Sequence, residues 1–194
     1  MKLQGTFTAL VTPFKQNGDV DYDAFRTHVR DQIRAGINGI VPLGTTGEAP
    51  TIEHDEREQL IKICVEEARK KPPVIVGTGS NSTKKTIEQT KQAERLGADA
   101  ALIVSPYYNK PTQEGIYRHF DAINEAVNIP IVVYNIKGRT GVNIETSTMK
   151  RLAQMKNIAG VKEASGDINQ MGDVLNEMPQ SFTALSGDDS MTLP

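Results

Sequence analysis

Lys162 closes the short apolar run Ile158-Ala159-Gly160-Val161 and opens the polar stretch Glu163-Ala164-Ser165-Gly166-Asp167. A lysine at the inner end of a buried strand has its stem in apolar surroundings. Desolvation then disfavours the ammonium and lowers its pKa from the ordinary ~10.4. A neutral amine in such a place attacks a carbonyl carbon and forms a Schiff base. A lysine paired with Glu163 at a strand edge has the same local sequence. Other groups fit the same chemistry. Tyr107, Tyr108 and Tyr134 sit at two neighbouring strand ends, and a phenol there relays a proton or anchors a substrate oxygen. Packed tyrosines with hydrogen-bonded hydroxyls are the alternative. Gly44-Thr45-Thr46-Gly47 brings backbone N–H groups and hydroxyls close to a ligand carboxylate, or is simply a tight turn. Arg139, between Gly138 and Thr140, has the planar fork that suits a carboxylate, as it suits a surface salt bridge.

These groups recur at strand ends because the chain repeats. An apolar run, a polar cluster and an amphipathic stretch return about every 30 residues, the length of a βα unit. The runs are Phe7–Val11, Gly39–Leu43, Val74–Gly77, Ala100–Val104, Ile131–Tyr134, Ile158–Val161 and Phe182–Leu185. Short and continuously apolar, they read as parallel strands covered on both faces. Between them Phe25, Val29 and Ile33 make one helical stripe with Gly36 at its end. Leu60, Ile61, Cys64, Val65 and Ala68 make another, before Pro72-Pro73. Further stripes are Ile87, Ala93 and Leu96; Ile116, Phe120 and Ile123; Met149, Leu152 and Met155; and Val174 with Leu175, with apolar positions at helical spacing. Strand–helix alternation means an α/β fold with a parallel sheet. A polar cluster after every strand favours the (β/α)8 barrel over the open doubly wound sheet, because barrel chemistry sits on those loops. No linker interrupts the pattern, so residues 1–194 read as a single domain.

Composition narrows the function. The 194 residues carry 22 Lys+Arg against 24 Asp+Glu, which argues against nucleic-acid binding. No apolar run approaches the ~18 residues of a membrane span, and residues 1–6 do not read as a secretory leader. The single cysteine, Cys64, excludes an internal disulfide and fits a reducing cytoplasm. It lies on a helical stripe and reads as core. Gly77-Thr78-Gly79 lacks the rest of a dinucleotide fingerprint. His28, His54 and His119 have no metal-ligand spacing, so no metal or other cofactor is expected. Asp188-Asp189 follows a strand and reads as the cap of the next helix.

Taken together, Gly44-Thr45-Thr46-Gly47-Glu48, Ser105-Pro106-Tyr107-Tyr108-Asn109-Lys110-Pro111, Tyr134-Asn135 with Gly138-Arg139-Thr140-Gly141, Gly160-Val161-Lys162-Glu163-Ala164 and Ser186-Gly187-Asp188-Asp189 resemble the dihydrodipicolinate synthase family. The resemblance runs along the whole chain in order. It implies a (β/α)8 barrel followed by a C-terminal helical region, usually a homotetramer. The implied reaction condenses pyruvate with L-aspartate 4-semialdehyde in the diaminopimelate and lysine pathway. Lys162 would bind pyruvate as an imine and Tyr134 would shuttle protons. Thr45 and Tyr108 would complete the relay, with Tyr108 coming from a neighbouring subunit. Thr46 and backbone amides around Gly44 would hold the pyruvate carboxylate, and Arg139 would take that of the semialdehyde. The lysine and tyrosine motifs are shared with sialic-acid lyases and keto-deoxy-sugar aldolases, which leaves another pyruvate aldolase, or a non-catalytic chain, as the rival readings. The double threonine and the Gly-Arg-Thr-Gly stretch favour the synthase.

Three features depart from the family. Lys137 stands where a proline is usual, which frees φ there and adds a charge beside Arg139. At the positions that resemble an inhibitory lysine site stand Arg57 and Lys85, so an ammonium ligand would meet cations and feedback should be weak or absent. Seven strands are readable where a barrel has eight, and barrels typically need ~250 residues. The expectation is a fragment of a longer chain, with unpaired edges on the first and seventh strands that make it fold poorly by itself.

Overall fold

The computed structural model describes residues 3–69 and 71–192; Met1, Lys2 and the Pro194 end lie outside the described residues. Seven strands and seven α-helices alternate among them. They are β1 (Phe7–Ala9), α1 (Tyr22–Arg34), β2 (Gly39–Val41), α2 (His54–Ala68), β3 (Ile75–Gly77), α3 (Thr83–Arg95), β4 (Ala100–Val104), α4 (Gln113–Ala126), β5 (Ile131–Asn135), α5 (Lys137–Thr140), α6 (Thr146–Leu152), β6 (Ile158–Glu163), α7 (Ile168–Glu177) and β7 (Thr183–Ser186). The contacts group into two compact units, Leu3–Thr78 with Lys91–Leu102, and Gly79–Thr90 with Ile103–Pro194.

In the first unit β1 pairs in parallel with β2, Phe7 opposite Gly39 and Ala9 opposite Val41. Ile40 bridges in parallel to Val74, and Ile75–Gly77 pair in parallel with Ala100–Leu102. β1 stops short of Val11, which is half-exposed ahead of Pro13, although the Leu10 N–H still donates to the Val41 carbonyl (3.0 Å). β2 ends before Pro42, which has no N–H to give, and Leu43 turns into the left-handed region at φ 59°. Asp21 caps α1 by accepting from the Ala24 N–H at 2.9 Å, and Gly36 (φ 82°) lies just past its end, where a left-handed residue favours glycine. The core of this unit gathers Phe25, Val29, Ile40, Leu60, Ile61 and Val76 around the fully buried Cys64, as the helical stripe implied.

In the second unit β5 and β6 run parallel. Ile131 faces Ile158, but Val132 faces Gly160, so one extra residue, Ala159, sits in β6. From there the ladder is regular through Tyr134–Lys162 and Asn135–Glu163. β6 continues to β7, with Lys162 opposite Leu185. Both β5 and β6 extend one or two residues beyond their apolar runs because these polar residues still pair. Phe182 lies outside β7, its N–H bonded to the Pro179 carbonyl (2.8 Å). Thr112 caps α4 and Asp167 caps α7. On α7 the buried residues are Met171 and Val174, whereas Leu175 is 68% exposed, so the apolar pair read from the sequence splits between two faces. α5 is a helical turn where the sequence suggested only loop.

His119 on α4 is buried. Its Nδ1 lies 2.9 Å from Thr83 Oγ1, its Nε2 has no partner among the described residues, and Phe120 meets its ring edge-on. Burial lowers its pKa from 6.5 to about 4. The folded state therefore resists a proton that the unfolded chain accepts below 6.5, and stability falls as pH drops from 6.5 toward 4. Over that window the loss should be about 3 kcal/mol. Denaturant titrations across the range should show the fall, and His119→Asn should flatten it.

Candidate active site

The register of β5 and β6 sets Tyr134 directly opposite Lys162. Paired residues of parallel strands share a face, and the Lys162 Nζ stands 4.4 Å from the centre of the Tyr134 ring. The ring face favours a cation, but Lys162 is half-buried, and burial is the larger effect. It lowers the amine's pKa against the opposing attraction of Asp189. The Lys162 stem runs beside Gly187. A Cβ there would fall 2.7 Å from Lys162 Cε and 2.8 Å from Cγ, closer than real carbon contacts allow. Lys162 does not pair with Glu163. The Glu163 carboxylate accepts from the Ser165 N–H (2.7 Å) and from Asn135 Nδ2 (3.2 Å to each oxygen) on the opposite face of the strands. Asp188 opens the 3-10 turn Asp189–Met191 and accepts from the Ser190 N–H at 3.1 Å, the capping role expected from its position.

Arg139 lies on α5, one turn that forms because the Ile136 carbonyl collects the N–H groups of Arg139 and Thr140 and the Thr140 hydroxyl. Gly141 closes it at φ 74°. Four residues are too few for periodicity to reveal. The Arg139 side chain is exposed and forms no ion pair with the described residues. Tyr108 is 88% exposed, which removes the packed-residue reading. Its φ is 71° and that of Lys110 is 43°, left-handed values that are strained for such side chains. The Lys110 stem crosses Gly141, where a Cβ would meet its Cε at 2.7 Å.

In the first unit Gly44-Thr45-Thr46-Gly47 turns the chain after β2. The Gly47 N–H donates to the Gly44 carbonyl (3.2 Å) and the Glu48 N–H to that of Thr45 (3.1 Å). Thr12 Oγ1 donates to the Gly47 carbonyl at 2.8 Å. Thr45 and Thr46 are exposed, and their amides have no acceptor among the described residues. The turn leaves donors for an anion as well as making a bend. Gly77 must lack a side chain, since a Cβ would collide with the Leu43 carbonyl. Arg57 is buried with its Nη2 on the Gly77 carbonyl (2.8 Å), and burial lowers its pKa to about 10. Lys85 is exposed on α3. No group of three or more His, Cys, Asp or Glu among the described residues could hold a metal. No described helix is long and apolar enough to cross a membrane.

Parallel strands that alternate with helices, with a half-buried lysine at the end of β6, are the pattern of a (β/α)8-type barrel. Residues 2–194 match the model of the Dihydrodipicolinate synthetase family, and the chain belongs to that family. It is 54% identical over 197 residues to the 4-hydroxy-tetrahydrodipicolinate synthase of Protochlamydia amoebophila, covering 100% of this chain and 66% of that protein. The corresponding enzyme of Methylacidiphilum fumariolicum superposes with a TM-score of 0.96 at 47% identity, over 100% of this chain and 64% of that one. The chloride-inhibited dihydrodipicolinate synthase of Acinetobacter baumannii, complexed with pyruvate, does so at 0.95 and 47%, over 97% and 65%. The chain thus spans about two thirds of the length of the relatives it matches. Its fold is that of these barrels, with seven strands among the described residues.

Sequence reasoning missed Gly187 and Asn135 as parts of this arrangement. Nothing local marks Gly187 as the residue that gives the lysine stem its room. Gly187→Ala should push the stem out of its slot and return Lys162 toward ordinary amine behaviour. The pH midpoint of the labelled Lys162 methylamine signal in NMR should rise; an unchanged midpoint would mean the slot has slack.

Proposed function

We propose that the protein carrying this chain condenses pyruvate with L-aspartate 4-semialdehyde to give 4-hydroxy-tetrahydrodipicolinate, as a Schiff-base lyase of the diaminopimelate and lysine pathway. The observation that carries this reading is the half-buried Lys162 amine over the Tyr134 ring at the ends of β6 and β5. Likeness to synthases of that name supports it, as does the pyruvate complex of the Acinetobacter baumannii relative.

In this reading the neutral Lys162 Nζ attacks the keto carbon of pyruvate and water leaves, forming an imine. The electron-poor nitrogen acidifies the methyl group, which loses a proton to give an enamine. The enamine carbon attacks the aldehyde carbon, whose oxygen takes up a proton. The amino group of the semialdehyde then adds to the imine carbon, closing the ring and expelling the Lys162 amine, which takes up a proton from the attacking nitrogen. Tyr134 moves the protons, relayed through Thr45 and a Tyr108 supplied by a neighbouring subunit of a homotetramer. Thr46 and the amides around Gly44 hold the pyruvate carboxylate, and Arg139 holds that of the semialdehyde. No metal or other cofactor takes part, and the compartment is the cytoplasm.

Borohydride reduction with pyruvate should add mass to the peptide holding Lys162. An adduct on another lysine, or none in a folded sample, would overturn the assignment. Tyr134→Phe should slow turnover by ~10²–10⁴, the usual loss when a general acid–base is removed.

The same reading includes weak feedback. Arg57 spends its guanidinium on a backbone carbonyl rather than on an acid, and neither it nor Lys85 can accept an ammonium group. Sub-millimolar lysine should leave the rate unchanged in an activity assay.

A further inference from the structure

The face of β5 and β6 opposite Tyr134 and Lys162 carries a second registered pair. Asn135 is 0% exposed and Glu163 4%, and they stand directly across the ladder from each other. A buried carboxyl costs heavily unless it is hydrogen-bonded. Here both oxygens accept from Asn135 Nδ2 at 3.2 Å, and one also accepts from the Ser165 N–H. Asn135 is occupied at both ends of its amide. Its Oδ1 accepts from the Ile144 N–H at 3.0 Å, and its Nδ2 also reaches Asn143 Oδ1 at 3.0 Å.

Residues 142–145 are the strand of chain that leaves α5 and Arg139. They are held from two further directions. Gln113, at the start of α4, donates to the Asn143 carbonyl (2.8 Å) and accepts from the Glu145 N–H (3.1 Å). Gln170, on α7, accepts from Asn143 Nδ2 (2.7 Å) and donates to the Ile144 carbonyl (3.1 Å). Every member has its partner, and a fully satisfied buried polar network fixes one geometry.

We infer that Asn135 and Glu163 are positioning residues that lock the ends of β5 and β6, and with them Tyr134 and Lys162, to each other and to the segment carrying Arg139. The reason lies in strand geometry. Tyr134 and Asn135 are consecutive, as are Lys162 and Glu163, so neither front residue can shift along the ladder without its neighbour. The apolar contacts of the barrel strands resist separation but tolerate small slides. A directional bond between neighbouring registers does not. This inference rests on the reading of Lys162 as the imine-forming amine.

The test measures how fast pyruvate becomes trapped on Lys162, by timed borohydride quenching, in the protein carrying this sequence and its variants. Asn135→Asp sets two carboxylates face to face. Glu163→Gln keeps the shape and the Ser165 bond but turns an amide toward the Asn135 amide. Each should slow imine formation at saturating pyruvate by about tenfold or more, since small misplacements of reacting groups are costly. The half-saturating pyruvate concentration should change far less. The combined Asn135→Asp, Glu163→Gln variant again sets one donor against one carboxylate and should recover most of the rate. Glu163→Gln decides the matter where Asn135→Asp does not fold. Wild-type trapping rates in the single variants, with only a lowered melting temperature, would overturn the inference, as would a combined variant no faster than Glu163→Gln alone. An unmodified Lys162 in the wild-type protein is a different result. It refutes the Schiff-base reading itself, and the positioning role falls with it.

Discussion

The parallel register between β5 and β6 is the constraint on which the candidate site depends. It sets an amine against a phenol ring on one face and an amide against a carboxyl on the other. The two faces obey opposite electrostatic rules. On the front, burial disfavours the lysine's charge, and the Tyr134 ring and Asp189 oppose that. On the back, the buried carboxyl is satisfied by an amide and a backbone N–H. Strand alternation keeps these environments one residue apart without letting the acid neutralise the amine. Had Glu163 reached Lys162, the ion pair would have held the ammonium charged and unreactive toward carbonyls.

Glycine and left-handed residues do the corresponding work at the loops. Gly187 leaves room for the lysine stem, Gly141 for that of Lys110, and Gly77 for the Leu43 carbonyl. Tyr108 and Lys110 take left-handed values without being glycine. Strained backbone of this kind persists only where its surroundings hold it, and it gathers at working sites. The exposed Tyr108 projects from such a turn.

Much of this was legible in the residues. Continuous apolar runs gave the strands to within one or two positions, because parallel strands buried on both faces leave no polar alternation. Cys64 fell in the core because its helical spacing put it there, and Asp188 capped the turn that follows it. The polar chemistry was less legible. Glu163 was weighed against its neighbour Lys162, but its partner Asn135 is 28 residues away, and no periodicity encodes a bond across a ladder. Leu175 carried an apolar signal and points outward, since one residue's step on a helix is enough to leave the buried stripe. α5 escaped notice because a single turn depends on which groups one carbonyl collects.

One extra residue in β6, Ala159, sets the register of every pair after it. With Ala159 present, Tyr134 meets Lys162 and Asn135 meets Glu163. Were Ala159 paired in the ladder rather than bulged out, a register starting from Ile131 and Ile158 would set Val161 against Tyr134 and Lys162 against Asn135. A one-residue slip moves a whole strand's side chains to the other face. The amine would then stand among the amides of Asn135 and Asn143, away from the ring. The bulge therefore decides which face of β6 carries the amine: flattening it with every residue kept would exchange the reactive face of the strand for its structural one, whereas deleting residue 159 would close the ladder with Tyr134 still opposite Lys162.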